Sequence, residues 1–302
     1  MNIRIEQFFL RIARPLYLLG GVLFYALGVG IARYLGNPVN WGLVILGQIW
    51  VTIFQLGFHF LITYFHHPQI IGAPNRIQIN DDREGKAQYI RVDLILSAAF
   101  TAFAVAAILG LLFLWWIKVS GVVFMIMGLM IIFVITLVVP PFQIIKTGYG
   151  DLLQAILVAN LIPGIAFSLQ YGELHRLVAM STFPLTLLYL STQLAQQFQS
   201  YGNNILKNKT TLLTIMGWER GMMLHNLLIL IAYFLFGVAM LFGLSPRVTL
   251  PVFFVLPLGI FQIWYMTRIA AGAKPNWRLL NSTAIFVLGL TTYLLAFSYW
   301  IR

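Results

Sequence analysis

Nine stretches of the chain are long, apolar and free of Asp, Glu, Lys and Arg. They are Pro15–Ala32, Trp41–Phe65, Leu94–Ile117, Val119–Pro140, Leu152–Leu169, Leu177–Phe198, Gly221–Pro246, Val248–Thr267 and Leu279–Ile301. A helix that crosses a bilayer needs roughly 17–25 mainly apolar residues, because in hydrocarbon its backbone must satisfy its own hydrogen bonds. The pattern predicts an all-α, polytopic membrane protein, a bundle of nine transmembrane helices forming one domain over residues 1–302. The third and fourth spans are joined by a tight turn around Lys118 and Gly121. Pro163, Pro184, Pro251 and Pro257 fall inside spans and predict kinks, which a packed bundle tolerates. A basic lead with Arg4, Arg11 and Arg14 precedes the first span without a small-residue cleavage site. The first span is therefore expected to be a retained helix and not a signal peptide.

Composition narrows the environment further. Charged residues make up 9% of the chain and hydrophobic residues 60%, whereas about a quarter of a soluble domain is charged. A soluble enzyme and a disordered chain are excluded, and with no cysteine so is a disulfide-stapled module. The net charge of +11 fits membrane loops and a lipid bilayer, and no nucleic-acid partner is expected. With the N-terminus in the cytoplasm, that side carries 14 of the 19 basic residues and the other side keeps Arg33, Lys118, Arg176, Arg247 and Arg302. This positive-inside bias sets the expected orientation, in a bacterial plasma membrane. The two longest loops, 66–93 and 199–220, then fall in the cytoplasm, and long loops between closely linked helices are where function usually resides.

Two local patterns stand out. Pro140-Pro141-Phe142-Gln143 leads into Gly148-Tyr149-Gly150-Asp151-Leu152-Leu153 after the fourth span, and Asn208-Lys209-Thr210-Thr211-Leu212 with Gly217 follows the sixth. The first resembles the PP-x-x-L…G-x-GE-L-L stretch of the UbiA prenyltransferase superfamily, its menaquinone-type branch in particular, and the second resembles that family's GK-x-TL…G signature. Nine spans with long loops after the second and sixth are similar to the family architecture. The resemblance implies a bundle with a lateral, lipid-accessible central cavity. It also implies a polyprenyl diphosphate held through Mg²⁺ by two Asp-rich motifs, at the ends of the second and sixth spans. Magnesium takes hard oxygen ligands and neutralises the diphosphate as it leaves.

The sequence departs from the family where that chemistry would lie. The first motif aligns with Ile62-Thr63-Tyr64-Phe65-His66, and the second with Ser200-Tyr201-Gly202-Asn203-Asn204. No carboxylate stands at Ile62, Thr63, His66, Ser200 or Asn204. The acidic run with Asn80, Asp81, Asp82 and Glu84 is a weak alternative metal site. It reads first as a solvated loop partly balanced by Arg83, Lys86 and Arg91. Arg83 and Lys209 align with the family's phosphate-contacting basic residues, and both bind anions without a metal. Asp151 is expected to act as an N-cap of the fifth span.

Histidine is costly within a membrane span and often functional there. His59 and His66 lie seven apart on one face of the second span, with His67 beside them. They suit a metal-centred pigment, a quinone oxygen or an internal hydrogen bond, and His225 suits packing between helices. Aromatic Phe54, Phe58, Phe60, Tyr64 and Phe65 crowd the same span. Such walls stabilise a prenyl cation and equally suit a quinone, carotenoid or chlorin tail. His59, Tyr64, His66 and Asn203 are thus candidate cavity residues. No C-x-x-C, H-E-x-x-H or Walker pattern occurs.

Two functions remain. The favoured one is a protein of this fold without the ordinary Mg²⁺–diphosphate chemistry. It would hold an isoprenoid, quinone, pigment or lipid, as an accessory subunit of a larger membrane complex. The other is a divergent prenyltransferase with an aromatic quinone or chlorin acceptor, using Asp81, Asp82 or the Asn203–Asn204 pair, with Mg²⁺ as its cofactor. A transporter has less support, because no intramembrane carboxylate is present to relay protons.

Overall fold

The structure is a computed structural model that describes residues 12–66, 76–80, 87–117 and 119–302, and their side chains except those of residues 66, 76–80, 87–90 and 116–117. Its elements are α1 (Pro15–Tyr34), α2 (Trp41–His66), β1 (Arg76–Asn80), β2 (Ala87–Arg91), α3 (Val92–Leu112), α4 (Gly121–Val138), α5 (Gly150–Ile156), α6 (Ile162–Tyr171), α7 (Arg176–Leu206), α8 (Leu212–Met216), α9 (Trp218–Leu241), α10 (Pro246–Thr249), α11 (Leu256–Ala270) and α12 (Trp277–Trp300). Among the described residues, nine helical segments are long and apolar enough to cross a membrane. The chain is a multi-pass, all-α membrane protein.

Three of the four span prolines coincide with departures from α geometry. A π-helical turn at Leu157–Leu161 joins α5 to α6, immediately before Pro163, so that Gly150–Tyr171 forms one span. A 3₁₀ stretch, Leu250–Val255, contains Pro251 and joins α10 to α11, whose second residue is Pro257. Pro184 is carried inside α7.

The loop boundaries require correction. The sequence assigned 199–220 to a loop, yet α7 runs on to Leu206, α8 occupies 212–216 and α9 begins at Trp218. Gln, Ser and Asn at 199–204 lower the hydropathy without ending the helix. The Ser200–Asn204 segment is therefore helical. Within 66–93, β1 and β2 pair antiparallel, with Arg76 opposite Arg91 and Asn80 opposite Ala87. Each strand is only 5 residues long, too short to read as a membrane span. His67, Asp81, Asp82, Arg83, Glu84 and Lys86 lie outside the described residues.

The chain divides into two compact units, residues 1–22 with 45–119 and residues 23–44 with 120–302. In the first, Trp50 donates its indole N–H to the Ala106 carbonyl at 2.9 Å, and its ring stacks on Phe54. Gly57 lets the Phe103 ring approach α2 closely. Ile12 and Ile95 form a small core, with Phe60, Tyr64 and Val92 packed against it.

In the second unit α7 is the central element and packs against α9 and α12. Interhelical hydrogen bonds tie it in: Thr192 Oγ1 donates to the Ala284 carbonyl at 3.2 Å, and the Ser181 and Tyr299 hydroxyls pair at 2.8 Å. One face of α7 carries Thr182, Thr186, Tyr189, Gln193, Gln197, Ser200 and Asn204. At 100° per residue these fall within an arc of about 80° and extend over about 33 Å. A polar stripe as long as a bilayer is thick is unusual, because lipid penalises polar groups that lack partners.

Candidate functional site

The two stretches singled out after the fourth and sixth spans meet in the second unit. Asp151 lies in the first turn of α5, and the cap position belongs to Tyr149, which makes no side-chain cap bond. The expected capping role is therefore corrected. The Asp151 carboxylate reaches away from its own helix and accepts from Gln197 Nε2 at 2.8 Å and from the Leu212 amide at 3.2 Å. Gln197 completes the link, its Oε1 accepting the Leu213 N–H at 3.3 Å.

The 208–217 segment is held from within as well. Thr211 and Thr214 cap α8 reciprocally, with the Thr211 N–H donating to Thr214 Oγ1 at 2.7 Å. Gly148, at φ +82°, runs beneath this turn: a Cβ there would stand 2.3 Å from Ile215 Cδ1 and 3.1 Å from the Thr211 carbonyl. Both the positive φ and the close approach require glycine. Lys209 is exposed on this turn, its amide donating to the Asn204 carbonyl at 2.8 Å.

Ser200 and Asn204 lie one turn apart on α7 and bond to each other. Asn204 Nδ2 donates to Ser200 Oγ at 3.1 Å, while the Ser200 hydroxyl donates to the Gln197 carbonyl at 3.2 Å. Asn204 is buried, whereas the adjacent Asn203 is exposed. Trp218 contacts Phe198, Tyr201 and Trp277, forming an aromatic cluster at this end of α7.

The first unit holds the other candidates. His59 is buried, packs edge-on against Tyr17 at 5.9 Å, and leaves Nδ1 without a hydrogen-bond partner. Thr63 Oγ1 donates back to the His59 carbonyl at 2.8 Å, so its hydroxyl is spent within the helix. Ile62 is buried, Tyr64 is half-buried against the Ile12–Ile95 core, and His66 is the last residue of α2. Between α2 and α3 lies a groove of 420 Å³ lined by Ile53, Leu56, Leu94, Ala98, Ala102 and Val105 together with Ser97 and Thr101. Both hydroxyls bond within their own helix, so the groove presents an apolar wall of ligand-binding size.

His225 is fully buried, with Nδ1 beside Asn226 Oδ1 at 3.1 Å and Nε2 beside Gln262 Nε2 at 3.3 Å. That arrangement agrees with a packing role between α9 and α11. Sequence reading missed Gln197, the residue that joins both motif stretches. A polar residue recurring at helical spacing inside an apolar span was the signal for it.

Among the described residues no three His, Asp or Glu side chains lie together as a metal site would require. By sequence, no family model matches the chain and no curated protein matches it. Solved structures do match. A UbiA homolog from Archaeoglobus fulgidus bound to GPP and Mg²⁺ aligns with a TM-score of 0.63 at 16% identity, covering 97% of this chain and 99% of that one. The same homolog bound to Cd²⁺ gives a TM-score of 0.62 at 17% identity, with the same coverage. A digeranylgeranylglyceryl phosphate synthase structure gives 0.60 at 12% identity over 99% of this chain and 98% of that one. At such identities the likeness is one of fold, and the chain has the fold of these UbiA homologues.

Proposed function

We propose that this protein is a member of the UbiA superfamily that holds an apolar-tailed isoprenoid, quinone, pigment or lipid and lacks the superfamily's Mg²⁺–diphosphate chemistry. It would act as an accessory subunit of a membrane complex. The observation that carries this reading is the Ser200–Asn204 pair. At the positions aligned with metal-binding carboxylates, a neutral hydroxyl and a neutral amide satisfy each other at 3.1 Å. Magnesium prefers anionic oxygen ligands, so these residues do not fit the ion that the resemblance implies. Asp151, the nearby carboxylate, is already engaged by Gln197 and the Leu212 amide.

The apolar groove between α2 and α3 and the buried aromatic wall of α2 support retention of a hydrocarbon tail. A second reading, a divergent prenyltransferase, has one specific observation in its favour. The turn bearing Lys209 is built and braced, which suits an anion.

Mass spectrometry of a solvent extract from the purified protein separates the two. A near-stoichiometric apolar-tailed compound supports the first reading. An empty protein that releases diphosphate from a prenyl diphosphate contradicts it.

A further inference from the structure

The π-helical turn at Leu157–Leu161 carries Asn160 near the midpoint of the Gly150–Tyr171 span. A π turn inserts one extra residue and re-aims the side chains around it, and such turns are frequent at functional sites. Asn160 Nδ2 donates to Thr186 Oγ1, and Asn160 Oδ1 accepts from Thr182 Oγ1 at 2.6 Å. Thr186 Oγ1 in turn donates to the Thr182 carbonyl at 2.9 Å. This accounts for both threonine hydroxyl protons and for one of the two Asn160 amide protons. Among the described residues the second amide proton meets no acceptor, and Asn160 stays partly exposed although both threonines are buried.

Further along the same stripe, Gln193 lies near the midpoint of α7. It is 8% exposed, and among the described residues its buried Oε1 has no hydrogen-bond partner. An orphaned amide oxygen in a protein interior is costly. A helix–helix clamp accounts for the Asn160–Thr182–Thr186 bonds, but it leaves the free Asn160 proton and the Gln193 oxygen unexplained.

We infer that Asn160 and Gln193 form a binding site, reaching from the middle of the Gly150–Tyr171 span toward the Asn204 end of α7, for the uncharged, oxygen-bearing ring or headgroup of an apolar-tailed ligand. The free Asn160 N–H donates to a carbonyl or hydroxyl oxygen. Gln193 Oε1 accepts from a hydroxyl, and its Nε2 serves a carbonyl. Asn160 contacts α7 between Thr182 and Thr186, about nine residues or 13 Å along the axis from Gln193. Two hydrogen bonds of about 2.9 Å each leave room between them for a substituted six-membered ring. The site uses neutral donors and acceptors only, so it selects oxygen substituents on the ligand and not charge. The inference rests on the proposal that the protein holds an apolar-tailed ligand, and it locates the polar end of that ligand.

The test compares 2-decylbenzene-1,4-diol, kept reduced under argon, with decylbenzene, which shares the tail and ring and lacks the oxygens. Both are titrated onto the full-length protein in nanodiscs and followed by native mass spectrometry. The wild type is expected to retain the diol about tenfold more tightly, the scale of one or two net hydrogen bonds. Asn160→Leu and Gln193→Leu are each expected to bring that preference below about threefold while leaving decylbenzene binding unchanged. Gln193→Leu removes an orphaned polar atom, so it also keeps or raises the melting temperature and guards against a folding artefact. Equal retention of both probes by the wild type, or a preference that survives Gln193→Leu, overturns the inference and leaves the ligand-holding proposal intact. Retention of neither probe overturns that proposal, and the inference with it.

Discussion

The carboxylate of Asp151 accepts the backbone N–H of Leu212 at 3.2 Å, across 61 residues of sequence. With Gln197 on the same carboxylate at 2.8 Å, one side chain fastens the start of α5 to α7 and to the first residue of α8. Asp151→Ala leaves the Gln197 amide and the Leu212 N–H without their acceptor, at a cost of about 1–3 kcal/mol. Thermal unfolding of the detergent-solubilised protein checks this. The expected result is a lowered melting temperature, with Asp151→Ala and Gln197→Leu together costing less than the sum of their single effects because they share the Asp151–Gln197 bond.

A close helix crossing supplies a second test. A Cβ on Gly28 would stand 2.2 Å from the Pro163 carbonyl oxygen and 2.8 Å from Ala166 Cβ, whereas one on Gly20 meets nothing within 4 Å. Gly28→Ala is expected to destabilise by about 1–3 kcal/mol through overpacking. Gly20→Ala is expected to be neutral or stabilising by up to about 1 kcal/mol from helix propensity. The paired melting curves separate backbone approach from propensity.

Nine spans were legible in the sequence because lipid forces every crossing segment to read as a long apolar helix. What the sequence hid was set by partners far away. Asp151 read as a cap because its acceptor role depends on Gln197 and Leu212, which are 46 and 61 residues distant. The sixth span seemed to end at Phe198 because the hydropathy falls there, yet neutral Gln, Ser and Asn side chains carry α7 to Leu206. The β1–β2 hairpin escaped because each strand is only 5 residues long. The two motif stretches were visible one by one, and their contact through Asp151 was not. Asn160 drew no notice because nothing in the sequence marks a π turn.

Orientation is open to a clean experiment, since the chain has no cysteine. Single variants Lys207→Cys and Arg247→Cys place thiols at opposite ends of the α9 span. In intact cells a membrane-impermeant maleimide is expected to label Arg247→Cys and to spare Lys207→Cys until the membrane is broken. The reverse pattern contradicts the positive-inside assignment.

Restoring charge at the Ser200–Asn204 pair probes why neutral residues stand there. Ser200→Asp combined with Asn204→Asp sets two carboxylates one turn apart, where like charges repel. The double variant is expected to melt lower than wild type without divalent cations. Added Mg²⁺ is expected to raise its melting point, by about 2.7 kcal/mol of stability at a hundredfold excess over Kd. Wild type is expected to show no Mg²⁺ response.

We propose that this protein lacks Mg²⁺–diphosphate chemistry. The most direct measurement is diphosphate release from labelled geranyl diphosphate by the purified full-length protein, with an aromatic acceptor present and Mg²⁺ varied. The expected result is no release above the protein-free rate at any Mg²⁺ concentration. Saturable, Mg²⁺-dependent release with prenyl transfer to the acceptor would contradict the claim.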